Sequence, residues 1–92
     1  MSDERMRVLL AQKSVGCTLR KQPPDITKWF YDALIVYGHL WVRPDRELSP
    51  VKVYIEELFS LLKFVALPNN VTRKQSLIAT KWPALKEKID LL

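Results

Sequence analysis

Between Ile26 and Val42 apolar side chains recur at three- and four-residue spacings, through Trp29, Phe30, Ala33, Leu34, Val36, Tyr37, Leu40 and Trp41. At about 100° per residue they share one broad face, while Lys28, Asp32, His39 and Arg43 make a narrow polar stripe. The pattern predicts a helix over 25–42, with Asp25 as its N-cap. An element this apolar is expected at the centre of a core. Val51, Tyr54, Ile55, Leu58, Leu61, Leu62 and Val65 repeat the same spacing. With Ser49 as N-cap and Pro50 in the first turn, they predict a second helix over 50–66, packed on the first.

The flanks are read from their punctuation. Pro23-Pro24, Pro44, Pro50, Pro68 and Pro83 mark joints, because proline lacks an N–H and restricts the residue before it. Thr72-Arg73-Lys74-Gln75 fits a capping box opening a helix to Lys81, with Leu77, Ile78 and Trp82 inward. Pro83 is expected to start a further short helix, with Leu85, Ile89 and Leu92 inward. Residues 3–14 fit a short helix with Met6, Leu9, Leu10 and Lys13 on one narrow face, although 7–19 also fits extended chain. The sum is an all-α fold, a small proline-punctuated bundle of four to five short helices. It is read as one helical domain over 1–92, with 1–24 as a candidate loosely ordered arm.

Composition agrees with one domain. Ninety-two residues hold one core, and two glycines leave little of the turn chemistry that hairpins need. The net charge of +5 is unevenly placed. Lys13, Arg20, Lys21 and Lys28 face only Asp25 over 13–28, and Arg73, Lys74, Lys81, Lys86 and Lys88 outnumber Glu87 and Asp90 over 68–92. The centre is near neutral. That distribution permits an acidic partner, nucleic acid or an anionic surface without requiring any of them.

Cys17 is the one cysteine, so no disulfide forms within the chain and an oxidising compartment gains no support. The start, Met1-Ser2-Asp3-Glu4-Arg5, has acids where a signal peptide carries bases. The longest uncharged run, Ala33 to Val42, is about half of the ~20 residues a membrane span needs. A soluble, intracellular protein is expected.

Catalytic signals are thin. His39 lies on a polar stripe, with Asp32 seven residues away, and reads as an ordinary helix histidine. One Cys and one His cannot make a zinc site of the usual kind. No glycine-rich phosphate loop or nucleophile elbow occurs, and Glu56 and Glu57 point to different helix sides. No enzymatic activity, cofactor or small-molecule substrate is expected.

Surfaces remain. Val53, Glu57, Ser60 and Phe64 fall on one line along the back of helix 50–66, an apolar-edged row suited to a protein contact. Asn70, Arg73, Lys74 and Gln75 gather at a helix start and carry the side chains that bond phosphates and base edges. Arg20 and Lys21 would extend that patch if the fold joins the two segments. The leading expectation is a non-enzymatic protein–protein interaction module (a small subunit, adaptor or inhibitor) with a protein partner or self-association. The alternative is a basic helical nucleic-acid-binding module.

Overall fold

The computed structural model describes residues 21–92 together with Arg5, Met6, Leu9, Ala11, Lys13 and Leu19. Three helices pack together: α1, Pro24–Trp41; α2, Val51–Ala66; and α3, Val71–Asp90. No strand occurs among the described residues. The all-helical expectation holds, and among the described residues three helices pack together where four to five were expected.

Helix α1 begins one residue before the expected start. Pro23 occupies the N-cap and Pro24 the first turn, where its fixed φ already suits a helix. Asp25 therefore lies inside the first turn rather than capping it, still at the positive end of the helix. The Thr27 hydroxyl donates to the Pro23 carbonyl at 3.2 Å and ties that turn together. Ile26, Trp29, Phe30, Ala33, Leu34, Tyr37 and Leu40 are buried, as the periodicity requires. Arg46 closes the other end, donating to the Trp41 carbonyl at 2.9 Å with its guanidinium 4.6 Å from the Trp41 ring centre.

Helix α2 buries Val51, Ile55, Leu58, Leu61, Leu62, Val65 and Ala66. Each large side chain so buried contributes about 1.5–3 kcal/mol before conformational entropy is set against it. Pro50 is the N-cap and no side chain caps the helix, so Ser49 does not play the expected part. Helix α2 packs on both α1 and α3, which gives it the central place expected of helix 25–42. Helix α1 meets α3 at separate points, notably an edge-to-face contact of Trp29 with Trp82 at 5.5 Å.

Helix α3 carries the largest correction. It runs through Pro83 as one element of 20 residues where two were expected. A proline there removes the bond to the carbonyl four residues back, that of Ala79. Ala79 and Pro83 are both exposed, so water can satisfy that carbonyl, while Trp82 and Leu85 hold the turn against the core. The capping box does not form either. Asn69 and Asn70 both take positive φ, which asparagine tolerates better than most residues, and the helix starts directly after them. Thr72 is thus already one residue inside. Leu92 is exposed rather than inward.

Of the segment 3–14, Arg5, Met6, Leu9, Ala11 and Lys13 are described and are helical. Its buried residue among these is Ala11, whereas Met6 and Leu9 are exposed, the reverse of the expected face.

Candidate interaction groove

Helix α3 is packed thinly for its length. Only Lys74 and Leu85 are buried, and Val71, Leu77, Ile78, Trp82 and Ile89 are half-buried. The space left beside it is a groove of about 490 Å³ between α2 and α3. On the α2 side stand Glu57, Ser60 and Phe64, at spacings of three and four, with Leu61 beneath them. On the α3 side stand Leu77, Lys81, Ala84 and Lys88, at spacings of four, three and four, with Leu85 beneath. Both rows follow the helical repeat, so each presents a straight ridge to the other. Ser60 and Ala84 are small and bring too little volume to close the gap. That is the local reason a groove exists here.

Three of the four residues picked out on the back of α2 therefore line one feature. Val53, at 43% exposure, does not. Phe64 is half-buried, with the Arg73 guanidinium 5.9 Å from its ring centre. Lys81 and Lys88 are exposed and form no ion pair among the described residues, and the same is true of Glu57 on the opposite rim. The α3 row was missed from the sequence because Lys81 and Lys88 read as plain solvated charges. The available signal was their alternation with Leu77 and Ala84 on one line.

The polar start of α3 is built differently from its expectation. Lys74 is fully buried, and its ammonium donates to the carbonyl of Leu67 at the end of α2. Burial holds its pKa below the ordinary lysine value. Lys74 is thus turned inward, on the apolar stripe between Val71 and Ile78, and is not at the surface where the expected contact would need it. Gln75 is exposed but donates to the Asp25 carboxylate at 3.1 Å. Gln22 reaches the same Leu67 carbonyl at 3.4 Å. The fold does bring residues 22–25 beside the start of α3. Lys21, Asn70 and Arg73 are exposed there, whereas Arg20 lies outside the described residues.

A second cleft, of about 500 Å³, opens between the C-terminal ends of α1 and α3. His39 lines it and is exposed. Its charged groups are already engaged, Arg43 with Asp45 at 2.7 Å and Lys86 with Asp90 at 2.9 Å. Arg43 holds the Asp45 carboxyl below the usual carboxylate range. No group of three or more His, Cys, Asp or Glu side chains converges among the described residues, and Cys17 lies outside them. No helix is long and apolar enough to cross a membrane among the described residues. Comparison of the chain with protein-family models, curated proteins and solved structures finds no match.

Proposed function

We propose that the protein is a non-catalytic protein–protein interaction module, a small subunit, adaptor or inhibitor, that docks a partner through the α2–α3 groove. One observation carries this reading. A groove of about 490 Å³ lies open between two helical rows, with half-buried Phe64 and Leu77 on its walls and buried Leu61 and Leu85 beneath. A concave surface lined by apolar side chains and rimmed by charged ones is a usual mark of a contact site. The charged rims supply orientation, and the apolar lining supplies the burial that drives association.

The test is Phe64→Glu, which places a charge on the groove wall. Wild-type protein is expected to show a complex mass by light scattering once mixed with extract from its native source and repurified. The variant should lose that complex at least about ten-fold, the mark of an interfacial aromatic, with an unchanged far-ultraviolet circular dichroism spectrum. A wild-type protein that stays monomeric and unpartnered, or a complex indifferent to Phe64→Glu, would sink the reading.

A second reading, nucleic-acid binding, is favoured by the hydrogen bonds that bring residues 22–25 beside Leu67 and Gln75. Its contact set is now Lys21, Asn70 and Arg73, with Asp25 set among them. Binding should then weaken steeply with salt, and Lys21→Ala with Arg73→Ala should lower the slope by about two. A slope unchanged in that double variant removes the assignment.

A further inference from the structure

The two rims of the groove carry unequal charge. Lys81 and Lys88 stand seven residues apart on α3, two turns along one edge, and neither has an acidic partner among the described residues. The α2 rim offers the carboxylate of Glu57, with Ser60 between it and Phe64. Arg73, over the Phe64 ring, adds a third cation at one end. A bound segment is therefore pulled into one orientation, acidic edge toward α3.

The shape selects a helix. From Leu77 to Lys88 the α3 row rises about 16 Å at 1.5 Å per residue, the length of three helical turns. A groove that long between two helical ridges accepts a third helix laid along it. An extended peptide would find no sheet edge, because α2 and α3 hold their backbone groups within their own helices. A second copy pairing groove to groove would set two concave surfaces facing each other across a void.

Resting on the docking reading above, we infer that the occupant of the α2–α3 groove is an acidic amphipathic helix of another protein, about three turns long. Its apolar residues seat over Leu61, Leu77 and Leu85, and its carboxylates meet Lys81 and Lys88.

The experiment is selection of a phage-displayed library of single-helix peptides, with core-facing and flanking positions varied, against the full chain. Binders should carry Asp or Glu along one flank of an apolar stripe. Their affinity should fall roughly 5–30-fold for Lys81→Glu with Lys88→Glu, two exposed pairs lost and turned repulsive. Both lysines are exposed, so the variant should keep the wild-type circular dichroism spectrum, which is checked first. No enriched helix, or neutral or basic winners, would overturn the inference. So would a reversible dimer in sedimentation that Phe64→Glu dissolves. Winners lost with Phe64→Glu yet indifferent to the lysines overturn the acidic helix and leave the docking reading standing. Winners indifferent to Phe64→Glu remove both.

Discussion

Lys74 shows how one residue can read as surface and act as core. Its charge and its place at a helix start made it a phosphate contact, yet its position between Val71 and Ile78 puts it on the apolar side of α3. The helix cannot turn that side away without losing Ile78, Trp82 and Leu85 from the core, so the ammonium goes inside and takes the Leu67 carbonyl. A lysine whose folded pKa lies below its unfolded value binds its proton less well when folded. Its contribution to stability therefore rises with pH, from the folded pKa up to that of an ordinary lysine. Denaturant melts at increasing alkaline pH should show this rise, and Lys74→Met should flatten it. At neutral pH the Met variant should be as stable as wild type or more so, because a buried charge is exchanged for apolar volume. Lys74→Ala should instead lose about 2–4 kcal/mol, from the cavity it leaves.

At the scale of elements, boundaries departed from expectation wherever proline or asparagine set them. Pro24 and the Asn69-Asn70 pair moved two helix starts by one or two residues, while Pro83 failed to end a helix at all. Local rules assign proline a cost of about 3 kcal/mol inside a helix, but they do not say whether packing on either side exceeds it. Here Trp82 and Leu85 straddle the joint, Leu85 within the core and Trp82 packed against it. Pro83→Ala should then raise stability by roughly 1–3 kcal/mol with little gain in helical signal at 222 nm, because α3 is continuous already. A large gain in helicity would mean that the native chain breaks there. The groove answers to volume in the same way: Ser60→Leu should fill part of it, leave the fold intact and weaken partner capture.

Across the whole molecule, burial is concentrated in α1 and α2. Ala33, Leu34, Leu58, Leu62 and Val65 have no exposed surface, whereas α3 buries two residues of its 20. Hydrogen exchange should follow that gradient, slowest in the middles of α1 and α2 and faster along α3. Equal protection in all three helices would show that α3 is held more firmly than its contacts indicate. Partner binding should slow exchange in α3 above all, since a helix in the groove covers its thinly packed side. The thin packing and the groove are one fact, seen once as stability and once as a surface.

The existence of α1 and α2, their buried faces and their pairing were legible from periodicity alone. Of the sixteen residues named on those two faces thirteen are buried, as a helical spacing that gathers them on one side requires. Two parts of the candidate site were half legible: Glu57, Ser60 and Phe64 as a row, and the start of α3 as a polar cluster. The opposite wall of the groove, the inward turn of Lys74 and the passage of α3 through Pro83 were settled only by tertiary structure. Each depends on how far apart two helices stand and which side of each faces the other. Spacing along one chain segment sets a face, whereas the distance between faces is set by the volumes that meet there.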